Sequence, residues 1–143
     1  TLLLGSLALP FKDDVDMSIF FVTSDGDASQ RIVGGSVAAA GSHPWMVSMT
    51  TGGTLRFMHC GGSVLSTRTV LTAAHCIDPV RVGNSVNANV RVNAGTNWFQ
   101  SGGQSLSISG AVMHPQYDGS SIKNDIGTLY TATDIVFSNL VLL

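Results

Sequence analysis

From residue 43 onward the chain is a succession of short apolar runs, many alternating with polar residues, broken by glycine and asparagine turns. The pattern predicts a first strand over His43–Met49, with Pro44 at its mouth, where a missing N–H is tolerated. Thr51–Thr54 reads as a hairpin turn and Arg56–Leu65 as the second strand. Thr69–Ala73 is the third, followed by a short turn or single helical turn that Pro79 ends. Over Asn87–Ala94 the alternation places Ala88, Val90 and Val92 on one face and Asn89, Arg91 and Asn93 on the other. Gln104–Met113 repeats this, with Leu106 and Ile108 against Ser105, Ser107 and Ser109, after a turn at Gly102-Gly103. Asp125–Tyr130 is the last strand. Six short strands with turn signals between them predict an all-β fold, a closed antiparallel barrel or a sandwich.

The first thirty residues read differently. Residues 9–30 cluster Asp, Ser and Thr around one apolar island, Met17–Val22, which cannot bury itself. Leu2–Ala8 resembles the end of a secretory signal, with small residues at Ser6 and Ala8 for cleavage after Ala8. Charge follows the same division. Before Ile32, Lys12 and Arg31 face five aspartates, a balance of −3; from Ile32 on, five cations face four aspartates, a balance of +1, which together give the net −2. The acidic leader suits either a removable pro-segment or a solvated terminus. The chain has no basic block to hold nucleic acid and no apolar run long enough to span a membrane as a helix. At 143 residues, with 16 glycines, 11% charged residues and no glutamate, it has room for one β-rich domain and little support for long surface helices.

Candidate chemistry centres on Leu71-Thr72-Ala73-Ala74-His75-Cys76. The only other cysteine stands sixteen positions earlier, in Cys60-Gly61-Gly62-Ser63, so the economical pairing is Cys60 with Cys76. Such a bridge closes a loop of about 15 residues, is worth roughly 3 kcal/mol in the chain-entropy account, and hints at an oxidising compartment. It would pin the turn that carries His75. Histidine next to cysteine, at 59–60 and again at 75–76, raises zinc as an alternative. The spacings match no common finger, however, and a disulfide would remove both thiolates. No metal and no cofactor are expected. His43 and His114, each before a proline, read as loop residues at strand edges.

These stretches, with Arg31-Ile32-Val33-Gly34-Gly35 upstream and Asn124-Asp125-Ile126 downstream, resemble the chymotrypsin/trypsin-type serine proteases in order and spacing, from about Gln30 to the last residue. The resemblance implies the first of that family's two six-stranded antiparallel β-barrels, with the second absent from this chain. It implies His75 as the general base and Asp125 as the carboxylate that orients it. It also implies activation by cleavage between Arg31 and Ile32, the freed Ile32 amine then forming a buried ion pair. The domain reading is a signal remnant at 1–8, a pro-segment at 9–31 and the first half of a protease domain at 32–143. Residues 134–143 resemble the crossing toward a second barrel. Gly127 stands where that family usually has Ala, and Thr128 where it has an aliphatic residue. No Gly-x-Ser-x-Gly occurs, and Asp118-Gly119-Ser120-Ser121 is a turn sequence, so residues 1–143 alone are expected to be inactive.

The expected function is therefore that of a secreted serine endopeptidase made as a zymogen. Its expected partners are a protein or peptide substrate and an activating trypsin-like protease, with neither nucleic acid nor membrane among them and a monomeric complete form. The alternative is a non-catalytic homologue serving as a binding or regulatory module.

Overall fold

The structure is a computed structural model that describes residues 37–143. The readings made for residues 1–8 and 9–31, and for the cleavage pair Arg31 and Ile32, lie outside the described residues.

Six strands close into an antiparallel barrel in the order β1-β2-β3-β8-β7-β6. They are β1 (Met46–Thr51), β2 (Phe57–Ser66), β3 (Thr69–Thr72), β6 (Arg91–Ala94), β7 (Gln104–Met113) and β8 (Gly127–Thr131). Between β3 and β6 the chain makes one short helix, α1 (Ala74–Ile77), a 3-10 turn over Asp78–Val80, and a small separate hairpin of β4 (Arg81–Val82) and β5 (Ser85–Val86). Closure pairs every barrel strand on both sides and leaves no free edge. Inward side chains fill the interior: Val47, Met49, Val64, Val70, Val92, Leu106 and Leu129 are buried, joined by Ile77 from α1.

The alternating pattern locates the strands but misplaces several ends. The first strand begins at Met46, because the chain turns at His43–Pro44 with the Met46 N–H donating to the His43 carbonyl at 3.0 Å. The sixth begins at Gly127, after Asp125. The reading of Asn87–Ala94 as one strand is corrected to Arg91–Ala94. Asn87 instead closes a turn: its side-chain oxygen accepts the Asn89 N–H at 3.0 Å and its carbonyl the Val90 N–H at 2.8 Å. A local Asn turn of this kind competes with strand pairing. Val90 and Val92 do face the core, whereas Ala88 is exposed and Asn93 is buried.

Asn93 pairs with Ser48, on the face of its strand opposite Val92, and is buried there among polar partners. Thr50 lies on that same face, opposite to Met49, and both residues are buried. Thr50 Oγ1 accepts from Asn93 Nδ2 at 2.9 Å and from Arg56 Nη2 at 2.8 Å. Arg56 Nη2 also donates to the Thr50 carbonyl at 2.9 Å, and Nη1 to the carbonyls of Gly52 at 2.6 Å and Asn89 at 2.8 Å. One guanidinium thus satisfies three carbonyls and a hydroxyl at one end of the barrel, which suits its fixed fork of donors.

Residues 134–143 lie against the barrel, with Ile135 and Val141 fully buried. Gln104 acts as a one-residue strand partner, donating Nε2–H to the Val136 carbonyl at 2.7 Å and accepting the Val136 N–H at 2.8 Å. The Leu142 N–H donates to the Pro44 carbonyl at 3.0 Å. Gly95, at φ +74°, makes room here, since a Cβ on it would lie 2.8 Å from Val141 Cγ2.

Candidate active site

The antiparallel register of β3 and β8 brings the candidate residues together across fifty positions of sequence. Thr72 pairs with Gly127, so the chain leaving β3 and the chain entering β8 emerge side by side at one end of the barrel. The chain leaving β3 passes through extended Ala73 into α1. Ala74, Cys76 and Ile77 of this helix are buried and His75 is exposed. With three neighbours anchored inward, the helical rotation of about 100° per residue leaves His75 turned toward solvent.

Asp125 reaches the end of the barrel from a loop held by local bonds. Asn124, in the left-handed region at φ 55°, donates Nδ2–H to the Gln116 carbonyl at 2.8 Å. Asparagine tolerates that backbone conformation better than most residues. The His114 N–H donates to the Ile126 carbonyl at 2.9 Å, which continues the pairing of β7 with β8 past Gly127.

Both oxygens of Asp125 are used on one residue. Oδ1 accepts the His75 backbone N–H at 2.8 Å, and Oδ2 lies 2.7 Å from His75 Nδ1. An ionised carboxylate can only accept, so Nδ1 is the protonated nitrogen of the neutral ring and Nε2 carries the free lone pair. The hydrogen bonds from the His75 ring and backbone hold the Asp125 carboxyl below the usual carboxylate range. Of the pair, the His75 side chain is 56% exposed and that of Asp125 20%, so the imidazole is open to a reactant while the carboxylate sits behind it.

The disulfide is formed: Cys60 of β2 is bonded to Cys76 of α1, with Cα atoms 6.0 Å apart. Both sulfurs and a His75 ring nitrogen fall within 4.8 Å of one another, but the sulfurs are bonded to each other and offer no thiolate to an ion. His75 Nε2 makes one weak contact, with Cys76 Sγ at 3.5 Å. His43 stacks edge-on against Trp45, and His114 Nδ1 accepts the Gln116 N–H at 3.1 Å; neither joins the site. His59, which sequence reasoning left without a role, bonds the turn that carries His75, with Nε2 2.8 Å from the Cys76 carbonyl. The one signal for it was its place directly before Cys60. A groove of about 650 Å³ runs along β7 beside Asp78, Arg81, Tyr117 and Tyr130; neither His75 nor Asp125 lines it.

A closed six-stranded barrel with an Asp-bound His on a disulfide-anchored turn is the architecture that the sequence resemblance implied. Comparison with known proteins agrees. The family described as Trypsin matches residues 32–142. Trypsin, alkaline C, of Manduca sexta is 38% identical over 112 residues, covering 77% of this chain and 42% of that protein. Trypsin, alkaline A, of the same moth is 37% identical over a stretch of the same length. Trypsin delta of Drosophila melanogaster is 35% identical over 112 residues, covering 78% of this chain and 41% of its own length. The chain belongs to the trypsin family of serine proteases and spans about two-fifths of the length of these relatives.

Proposed function

We propose that this chain is the first-barrel half, residues 32–143, of a secreted serine endopeptidase, preceded by a signal remnant at 1–8 and a pro-segment at 9–31. The observation that carries this reading is the double grip of Asp125 on His75, which leaves Nε2 with one weak sulfur contact on a ring that is 56% exposed. In such an enzyme Nε2 takes the proton from a serine hydroxyl as its oxygen attacks the substrate carbonyl. The proton then passes to the leaving amine as the carbon–nitrogen bond breaks. Asp125 stays ionised throughout, because its carboxyl is held below the usual range, and it stabilises the imidazolium formed in between.

The serine is supplied by sequence outside these 143 residues, and the same holds for the donors of the oxyanion site. Cleavage after Arg31 by a trypsin-like protease releases Ile32 and switches the enzyme on. Substrates are proteins or peptides.

The test is to express the reading frame through the following barrel, cleave it at Arg31–Ile32, and assay hydrolysis of denatured protein and of peptide esters. The uncleaved form, H75A and D125A should each lose nearly all turnover, and residues 1–143 alone should show none. Retained turnover in H75A would refute the assignment.

A further inference from the structure

The turn carrying His75 has a second anchor. The residue before Cys60 on β2 is His59, and its Nε2 lies 2.8 Å from the carbonyl oxygen of Cys76. A carbonyl only accepts, so Nε2 carries the proton and donates. The acceptor is one of the last carbonyls of α1, a group with no partner within so short a helix. Two consecutive residues of β2 therefore hold one residue of the helix: Cys60 holds the Cys76 side chain and His59 its backbone.

Consecutive residues of a regular strand cannot do this, because their side chains leave from opposite faces. The irregularity in β2 allows it. Met49 pairs with Cys60 and Thr50 with Met58, so His59 is the extra residue of a β-bulge, without a partner across the strand pair. A bulge bends its strand and re-aims side chains, and this one, at the rim of the barrel, turns both His59 and Cys60 toward α1.

We infer that His59 is a positioning residue for His75. Through the Cys76 carbonyl it fixes the helix turn, so that the His75 backbone N–H and Nδ1–H both meet Asp125. The disulfide grips residue 76 through a rotatable side chain and does not touch the peptide plane between residues 76 and 77. The His59 bond fixes that plane directly.

Hydrogen exchange of the His75 backbone amide, which donates to Asp125 Oδ1 at 2.8 Å, reads the effect in the chain as it stands. His59→Phe keeps an aromatic ring and removes the donor. His59→Gln removes the ring and keeps an N–H donor at similar reach. In H59F the His75 amide should exchange about fivefold to tenfold faster, the loss of one net hydrogen bond, while the amides of Val70 and Leu129 in the barrel core keep their rates. H59Q should stay within about twofold of the parent. An unchanged His75 amide in H59F overturns the inference, as do equal effects of Phe and Gln or a uniform loss of protection over the whole barrel. A kinetic arm rests on the protease reading: in the longer active enzyme H59F should lower kcat with KM unchanged, and a changed KM with kcat unchanged would contradict it. The exchange arm does not depend on activity, so failure of the brace and failure of the protease assignment remain distinguishable.

Discussion

Ile77 packs its Cδ1 atom into the space that a side chain on Gly127 would need. A Cβ built on Gly127 would lie 2.6 Å from that atom and 2.9 Å from the Val112 carbonyl oxygen. This accounts for glycine at a position where the family usually has alanine: here Ile77, fully buried at the end of α1, supplies the volume from the other side.

Gly127→Ala should accordingly destabilise the barrel by about 1–3 kcal/mol, the usual cost of forcing a methyl group into a filled core. Thermal or denaturant unfolding checks it. Shortening the opposing side chain in the double variant G127A/I77V should recover part of the loss, since the two residues compete for one space. Strict additivity of the two changes would show that they do not.

Arg56 should be hard to replace. Its loss strips donors from the carbonyls of Thr50, Gly52 and Asn89 and from buried Thr50 Oγ1. Arg56→Met should cost about 2–4 kcal/mol of unfolding free energy, and Arg56→Lys nearly as much, because an ammonium cannot serve four acceptors from the positions of a guanidinium fork. Full stability of R56K would contradict this.

Acid should loosen the site end of the barrel first. The Asp118 carboxyl is lowered to about 2, chiefly by the hydroxyls of Ser120 and Ser121, and Asp125 is lowered by its bonds from His75. A carboxyl whose folded pKa lies below its unfolded value binds fewer protons when folded. Its stabilisation is therefore complete above the unfolded value of about 3.9 and drains away as pH falls through the folded value. For Asp118 the window runs from about 4 down to about 2. Relative to its intrinsic rate, exchange of the Ser120 amide, which donates to Asp118 at 3.0 Å, should quicken over that range, and that of His75 should quicken as the lowered Asp125 carboxyl takes up its proton. In D118N the acceleration at Ser120 should be lost and that at His75 kept. Equal acceleration in parent and variant at Ser120 would assign the effect to general unfolding.

Much of this architecture was legible in the sequence where physical signals repeat. β7 spans ten residues of alternation and matches its predicted bounds, Gln104–Met113; β3 falls one residue short. The Cys60–Cys76 pairing followed from there being two cysteines. Elsewhere the signal was too short or was overridden. β4 and β5 hold two residues each, a single period of alternation. Asn87–Asn89 has strand-like polarity, yet Asn87 satisfies the local N–H groups itself. Thr50 and Asn93 are polar and buried because they bond each other and Thr50 accepts from Arg56, contacts between separate segments that no local pattern encodes. Arg56 and His59 act through carbonyls 33 and 17 positions away, contacts that only tertiary structure creates. The motifs singled out His75 and Asp125, and the register of Thr72 with Gly127 explains how the two side chains meet.

The central claim is that Asp125 fixes the proton of His75 on Nδ1 and leaves Nε2 as the free base. Nitrogen-15 NMR of the imidazole near pH 7, in a chain labelled at histidine, reads that arrangement directly. His75 should show a protonated Nδ1 and an unprotonated, pyridine-like Nε2, and D125N should lose that preference. A His75 ring protonated on Nε2 in the parent, or one averaging freely between both tautomers, would contradict the account.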